Sequence, residues 1–295
     1  MILIPQRLFD SPAVQTIMRD GNVCILRKSL SEAVVQREGY ISNHVISMVQ
    51  AGEQRIRTYD DEVITVKAGE LVFIPRGVYY VTDLLPDSGK FESVLFYFDD
   101  QIIHNFLANS KVTEVDRKAV PDHLKFEIVS PLQAFVSALL EIYSAQLLKE
   151  RSLLELKIIE LLLLLNKLAG DQRFANFLFQ LTLPQKRNIR TFMKQNYDKP
   201  LKVEDYAYLT GRSESTFRRD FKQYFHTTPQ QWLKEQRLEK ALRLLQQQEM
   251  SVTQVAYEIG YENISYFIRA FKGKVGLSPK QYMLSLHRNR VKNKN

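Results

Sequence analysis

The stretch "SVTQVAYEIGYENISYFIRAFKGKVGLSPKQY", residues 251–282, decides the fold of the second half of the chain. Ser251 and Gln254 form a capping box that predicts the start of one helix. Gly260 stands where the end of that helix needs a positive φ, and Asn263 is suited to cap a second helix. The stretch therefore predicts two helices joined by a tight turn, which is a helix-turn-helix.

The same pattern occurs about fifty residues upstream in "LKVEDYAYLTGRSESTFRRDFKQYFHTTPQQW", residues 201–232. Ala207 and Gly211 repeat the small residue and the helix-ending glycine, and Ser213 is suited to cap the second helix of this copy. After one extra residue in the downstream copy, phenylalanines spaced by four match in both units: Phe217, Phe221, Phe267 and Phe271. The chain thus contains two copies of one supersecondary unit.

The segment between the copies, "TPQQWLKEQRLEKALRLLQQQEM", predicts a helix of about 19 residues, near 28 Å long at 1.5 Å per residue. Its apolar stripe is Leu238, Ala241, Leu242 and Leu245. Successive major grooves on one face of DNA lie about 34 Å apart. A rigid connector of this length can therefore hold two recognition helices in adjacent grooves.

The two halves of the chain differ in charge. The protein has 295 residues and a net charge of +8, and residues 181–295 carry 22 Lys and Arg against 10 Asp and Glu, a net +12 that leaves −4 for the rest. A basic domain beside an acidic one is typical of a polyanion-binding module attached to something else. A solvated, lysine-rich surface is the alternative interpretation of charge alone.

The first hundred residues predict β structure. Short runs rich in β-branched and aromatic residues lie between residues 23 and 99 and are separated by turn signals such as Gly39, Gly69 and Gly77. This spacing is typical of a compact antiparallel sandwich or barrel.

From residue 130 onward the apolar residues recur at helical spacing. Ser130 and Pro131 predict a helix start, and a second helix is expected at 152–168 with apolar groups on several sides. We expect one stripe of that helix to form a homodimer, although burial within one chain is the alternative: Leu154, Ile158, Leu161, Leu165 and Leu168.

Residues of about 184–283 resemble the DNA-binding domain of the AraC/XylS family of bacterial transcription regulators. "VAYEIGYENISYFIRAFKGKVGLSP" is similar to the family signature, "RLEKALRLL" resembles its linking helix, and "VKAGELVFIPRGVYYV" resembles its strand-turn-strand before a ligand pocket. The resemblance implies an α+β protein: a cupin-like β-sandwich or barrel with two dimerisation helices, then an all-α domain with two helix-turn-helix motifs joined by a long helix.

The resemblance and the composition together give expected domain bounds. We expect an effector-binding and dimerisation domain at 1–168, with its β part at about 1–120 and its helices at about 130–168. A linker at 169–183, a DNA-binding domain at 184–285 and a basic tail at 286–295 are expected to follow.

The resemblance also places DNA contacts on the two recognition helices. Arginine suits guanine, whereas Ile268 suits thymine methyl groups or DNA shape. For each polar residue, a merely solvated side chain is the alternative. The expected contacts are Ser213, Ser215, Arg218, Arg219, Lys222, Asn263, Ser265, Ile268, Arg269, Lys272 and Lys274.

For the β domain we expect a mostly apolar effector pocket. Its inward candidates are Ile25, Ile46, Met48, Ile64, Phe73, Tyr80 and Phe96, all of which simply fill the sandwich in the alternative interpretation. Many relatives have a His after the turn at Gly77, where this chain has Tyr79 and Tyr80. Basic side chains near the strands suggest a carboxylate-bearing ligand, and the effector-binding candidates are Arg55, Arg57, Arg76 and Tyr80.

Enzyme chemistry is not expected. His44, His104 and His123 stand alone without the spacing of a metal-dependent cupin, which stays a remote alternative. The single cysteine, Cys24, excludes an internal disulfide and a multi-cysteine metal site, so neither a metal nor a cofactor is expected. Neither a signal peptide nor a membrane span is apparent, which favours a cytoplasmic protein.

We therefore expect a sequence-specific transcription regulator, an activator by the habit of the family. Its expected partners are double-stranded DNA, RNA polymerase and a second copy of itself. The regulatory signal is a small-molecule effector or, in the alternative, a regulatory protein that binds the N-terminal domain.

Overall fold

A computed structural model describes residues 2–58, 61–85, 89–108, 123–143, 150–170, 172–183, 187–247 and 249–292. The chain divides into two compact units, residues 2–183 and 184–295. The first contains the β structure and the second is helical. No helix in the described ranges is long and apolar enough to cross a membrane.

The strands of the first unit form two sheets. The described strands are β1 (Ile2–Ile4), β2 (Val14–Asp20), β3 (Val23–Leu30), β4 (Val34–Ile41), β5 (His44–Ala51), β6 (Glu53–Arg57), β7 (Val63–Lys67), β8 (Glu70–Ile74), β9 (Gly77–Leu84), β10 (Phe91–Phe98) and β11 (Leu124–Glu127). One sheet has the order β1-β4-β9-β6-β7 and the other β11-β8-β5-β10-β3-β2. Neighbouring strands are antiparallel except for β1 and β4, which are parallel. The α+β fold class is confirmed.

The six-stranded sheet is buried on both faces, because successive side chains of a strand point to opposite sides. On β10, Leu95 and Tyr97 join a cluster between the two sheets, whereas Phe96 and Phe98 join a second cluster under the helices. This alternation corrects the expected pocket residues. Ile64 does lie between the sheets. Five other expected pocket residues pack under the helices instead: Ile25, Ile46, Met48, Phe73 and Phe96.

The α-helices described in the first unit are α1 (Asp100–Leu107), α2 (Ser130–Tyr143), α3 (Arg151–Leu168) and α4 (Gln172–Thr182). The expected linker at 169–183 is wrong, because α4 buries Phe174, Phe177 and Leu178 in the helix-covered cluster. Their spacing of three and four residues is that of an amphipathic helix.

The prediction of which face of α3 forms a dimer is also wrong. Leu154, Ile158, Leu161 and Leu165 are buried against their own chain, and of that stripe only Leu168 is exposed. Outside that stripe, the exposed large apolar side chains of α3 are Leu156, 62% exposed, and Leu163, 56% exposed.

The second unit consists of helices: α5 (Ile189–Asn196), α6 (Val203–Leu209), α7 (Glu214–Phe225), α8 (Pro229–Gln247), α9 (Val252–Glu258), α10 (Ile264–Val275) and α11 (Pro279–Lys292). The connecting helix α8 has 19 residues and buries Leu238, Ala241 and Leu245, as its stripe predicts. The segment expected to be a tail from residue 286 continues α11 as far as Lys292.

Gly260 ends α9 in a position that tolerates no side chain. Its φ is +80°, and an added Cβ would lie 2.7 Å from the carbonyl oxygen of Asp198 and 2.8 Å from that of Lys199. Since these are backbone atoms, they cannot swing aside as the end of a flexible side chain can. The turn of the second helix-turn-helix therefore packs directly on the chain that follows α5.

We expect Gly260→Ala to destabilise the protein by about 3 kcal/mol, because it combines left-handed strain with backbone overlap. The measurement is urea unfolding followed by the fluorescence of Trp232, the only tryptophan, whose ring centroid lies 4.8 Å from that of Phe225 in this unit.

Gly276→Ala is the matched control. Gly276 has a φ of +82° but nothing within 4 Å of an added Cβ. We expect it to lose only the left-handed strain of about 1 to 2 kcal/mol. Equal losses for the two variants would show that the contact with residues 198 and 199 is not tight.

Candidate nucleic-acid interface

The second helix-turn-helix forms as its local signals predict. The Ser251 backbone N–H donates to Gln254 Oε1 at 2.8 Å, and the Gln254 N–H donates to Ser251 Oγ at 3.2 Å, which completes the capping box. Asn263 Oδ1 accepts from the Tyr266 N–H at 2.9 Å and caps α10. These caps satisfy backbone donors that a helix start leaves without a partner.

The upstream helix-turn-helix follows the same plan. Ser213 Oγ accepts from the Thr216 N–H at 3.3 Å and caps α7, and Gly211 takes a φ of +66° in the turn. Phe217 and Phe221 are fully buried, as are their counterparts Phe267 and Phe271 in the other copy. Each recognition helix is thus held by its phenylalanine face, and its opposite face is left to solvent.

Arg237 on α8 joins the two copies. Its Nε donates to the carbonyl of Tyr197 at 2.7 Å, its Nη2 donates to the carbonyl of Lys199, and its Nη1 donates to the carbonyl of Gly260 at 3.4 Å. Charge-assisted hydrogen bonds of this kind are stronger than neutral ones. One guanidinium therefore holds both the loop that leads from α5 into the first copy and the turn of the second copy.

Lys240, about one turn further along α8, reinforces the same junction. Its Nζ donates to Asp198 Oδ2 at 2.7 Å and to Glu258 Oε1 at 3.1 Å. Burial disfavours the charged ammonium, but the bonds to Asp198 and Glu258 outweigh that effect and raise the pKa of Lys240. The junction therefore stays charged and bonded across the physiological pH range.

On α7, the expected contact residues differ in solvent exposure and in their bonds to other side chains. Arg219 is 77% exposed, whereas Arg218 donates to Glu214 Oε1 at 2.9 Å and to Gln230 Oε1 at 3.0 Å. Lys222 is exposed and has no ion pair in the described residues. Ser213 and Ser215 lie at the exposed start of the helix, 3.2 Å apart between their Oγ atoms.

On α10, Arg269, Lys272 and Ser265 are exposed, and neither cation has an ion pair within the described ranges. Ile268 is half-buried and packs partly against the core of its own unit. Lys274 instead bonds Glu235 and lies 3.7 Å from Glu239, so it ties α10 to α8.

The sequence interpretation missed Tyr266. Its side chain lies on the first turn of α10, is 55% exposed, and has a ring centroid 5.8 Å from that of Tyr261. An exposed tyrosine on a recognition helix presents both an apolar ring and a hydroxyl. The signal was its position directly before Phe267, which places it off the buried face.

The β unit contains a separate cavity of about 280 Å³ between its sheets. A buried polar chain crosses its wall: Lys28 bonds Asp83, Gln54 donates to Asp83 Oδ1 at 2.7 Å, and Ser47 donates to Gln54 Oε1 at 2.8 Å. Most other wall residues are aliphatic, and they include Val45, Ile56, Ile74, Val81 and Leu95. The internal partners leave little net charge in this part of the wall.

Tyr97 also lines this cavity and is 3% exposed. Burial, with smaller effects of Cys24 and Asp83, raises the pKa of its hydroxyl, which therefore stays protonated. No hydrogen bond of this hydroxyl occurs within the described part of the chain. The wall also includes Arg7 and Asp10, which are exposed, and Ser11. The Tyr97 hydroxyl is a buried polar group of the wall that an occupant can bond.

The residues expected to bind an effector do not line this cavity. Arg55 bonds Glu53 at 2.6 Å, and Arg57 lies 3.8 Å from Asp61 and 4.7 Å from the ring centroid of Tyr80. The Tyr80 hydroxyl donates to Glu38 Oε1 at 3.3 Å, and the Arg76 guanidinium lies 3.9 Å from the Asp100 carboxylate. Their charges are thus balanced by neighbouring acids.

Buried His44 pairs with the partly exposed Asp100 near Arg76. The Arg76 N–H donates to His44 Nδ1 at 3.3 Å, so Nε2 carries the proton that reaches Asp100 Oδ1 at 2.8 Å. Burial alone raises the pKa of Asp100, but the bond to His44 and the charge of Arg76 outweigh it and lower the pKa. No group of three possible metal-binding side chains occurs among the described residues.

Comparison with known proteins matches both units to established models. A helix-turn-helix domain model matches residues 206–285, and a model described as the ExsA N-terminal regulatory domain matches residues 44–177. The HTH-type transcriptional regulator ExsA of Pseudomonas aeruginosa is 28% identical over 238 residues, which cover 79% of this chain and 84% of that one.

Two further proteins show the extent of the similarity. The virulence regulon transcriptional activator VirF of Yersinia enterocolitica is 29% identical over 244 residues, covering 78% of this chain and 83% of its own. A ToxT structure from Vibrio cholerae covers 91% of this chain and 100% of its own at 15% identity, with a TM-score of 0.43. That structural likeness is too low to bear on the assignment.

Proposed function

Because the chain belongs to the AraC/XylS family of transcription regulators, we propose that it activates transcription by placing both helix-turn-helix units on one operator. The observation that carries this proposal is the junction at Arg237, which ties the turn of the second helix-turn-helix to the loop that leads into the first. The activator role is supported by the similarity to VirF, a transcriptional activator, and it makes RNA polymerase the expected partner.

In this proposal α7 and α10 lie in successive major grooves. Arg269 is the strongest candidate for reading a base, because its exposed guanidinium has no acidic partner in the described part of the chain and suits guanine O6 and N7. Arg218 must first leave Glu214 and Gln230. Lys222 and Lys272 are suited to phosphates, which supply affinity without sequence preference.

We expect Arg269→Ala to weaken binding to the specific site by about 1 to 3 kcal/mol and to relax the preference at one base pair. Lys272→Ala should weaken binding to specific and random DNA by similar factors, since a phosphate contact carries no sequence information. The measurement is fluorescence anisotropy on sites selected from a random DNA pool. Equal losses of Arg269→Ala on both kinds of DNA would remove its role as a base reader.

We further propose that a second copy of the chain covers the outer stripe of α3, which is Leu156, Ile159 and Leu163. Leu156 and Leu163 are exposed and lie seven residues apart, two helical turns along one face. Such a spacing allows the same stripe on two copies to pair about a two-fold axis.

We expect Leu163→Asp to give a folded monomer, because it places a charge in the proposed interface and leaves the core intact. Sedimentation measures the mass, and circular dichroism checks the fold. Leu161→Asp is the contrasting variant: Leu161 is fully buried, so this change should unfold the first unit. A wild-type monomer at micromolar concentration would overturn the dimer proposal.

We propose that the cavity between the sheets takes a small, mainly apolar effector with one neutral polar group. Its volume of about 280 Å³ is close to the lower end of known ligand pockets, about 300 Å³. Because Asp83 already neutralises Lys28, a carboxylate would have to displace a buried partner. A neutral group that bonds the Tyr97 hydroxyl avoids this displacement, and we propose such a group in place of the expected carboxylate.

We expect native mass spectrometry of freshly purified protein to show an excess mass that denaturation removes. Val45→Phe should abolish the excess, because it extends a wall side chain into the cavity, whereas Val35→Phe at a site 66% exposed should retain it. Absence of any excess mass in the wild type would favour regulation by a protein partner instead.

A further inference from the structure

An open groove of about 530 Å³ lies within the DNA-binding unit and is bordered by both recognition helices. Arg218 and Glu214 of α7 form part of one side, and Tyr266 of α10 forms part of another. Gln230 and Lys234, four residues apart on α8, share the face of that helix that lines the groove. We call this surface the central groove.

The cations of the central groove are not equivalent. Arg218 bonds Glu214 and Gln230, Arg237 bonds backbone carbonyls, and Lys202 lies 3.7 Å from Glu204. Lys234 is exposed and has no ion pair or hydrogen bond within the described ranges. Its ammonium can therefore bind a ligand in this groove without leaving a partner among the described residues.

DNA that binds both recognition helices must pass the central groove. Successive major grooves on one face of the duplex are separated by sugar-phosphate backbone and the minor groove. Since both α7 and α10 line the central groove, we expect that intervening backbone to face it in the proposed complex. A phosphate is thus the group that the proposed complex presents to Lys234.

We propose that Lys234 and the hydroxyl of Tyr266 bind a backbone phosphate between the two major grooves, as a third DNA contact that no recognition helix makes alone. This inference rests on the proposed binding of both units to one operator. Lysine and tyrosine both donate to phosphate oxygens in protein–DNA complexes, and such contacts fix the register of the protein on the duplex. The contact would hold α8 against the DNA between the two recognition helices.

The test is the salt dependence of DNA binding by the full-length Lys234→Gln variant. Loss of one phosphate contact lowers the slope of log K against log salt by about 0.9, so the wild-type advantage should shrink about 3.5-fold between 50 and 200 mM salt. The affinity loss should be the same factor on specific and random duplexes, and the selected base sequence should not change. Tyr266→Phe should weaken binding without changing the slope, because the hydroxyl carries no charge.

Lys194→Gln is the matched control, since Lys194 is an exposed lysine of α5 outside the central groove. An unchanged slope in Lys234→Gln, with Arg269→Ala still impaired, would overturn the third contact and leave the proposed function standing. A Lys234→Gln loss confined to the specific site would also overturn it, since a phosphate contact is blind to sequence. A wild-type protein that binds no duplex would overturn both proposals.

Discussion

The DNA-binding unit depends on one close contact, the packing of the Gly260 turn on the chain at residues 198 and 199. The absence of a side chain at Gly260 lets the carbonyl-rich loop come near, and Arg237 then bonds carbonyls on both sides of the contact. Because backbone atoms form the contact, it has little freedom to adjust. Two helix-turn-helix copies, each too small to bury much surface alone, thereby become a single body with a fixed separation of their recognition helices.

Local chemistry explains why the two helix-turn-helix motifs and the helix between them could be predicted, whereas α5 and the extent of α11 could not. The decisive signals are the capping box at Ser251 and Gln254, the cap at Asn263 and the positive φ at Gly260. Each of these signals acts over only three or four residues of the chain. The duplication repeats two of these signals, since Gly211 and Ser213 stand in the upstream copy where Gly260 and Asn263 stand in the downstream one. What the sequence lacked was the partner of Lys274, because Glu235 is 39 residues away and only the folded unit brings them together.

The β unit was predictable in class but not in orientation, and β10 shows why. Nearly every residue of "FESVLFYF" is buried, so the strand carries no polar alternation that would tell the inter-sheet face from the helix-covered face. A one-residue error in that choice exchanges Phe96 for Tyr97 and moves the whole pocket to the other side of the sheet. The same ambiguity affected α3, where apolar residues on several sides leave the buried face to be decided by long-range packing.

The two recognition helices start from different electrostatic states, and magnitudes decide what this means. The pair of Arg218 and Glu214 is exposed and one turn apart, and such pairs are worth only about 0.3 to 0.5 kcal/mol. A bidentate contact with guanine discriminates by about 1 to 3 kcal/mol. Arg218 can therefore leave Glu214 for a correct base at small cost, while on a wrong sequence the local pair and the bond to Gln230 compete with binding. Arg269 has no such competitor in the described residues, so its guanidinium can contact a base edge without first breaking a bond within the protein.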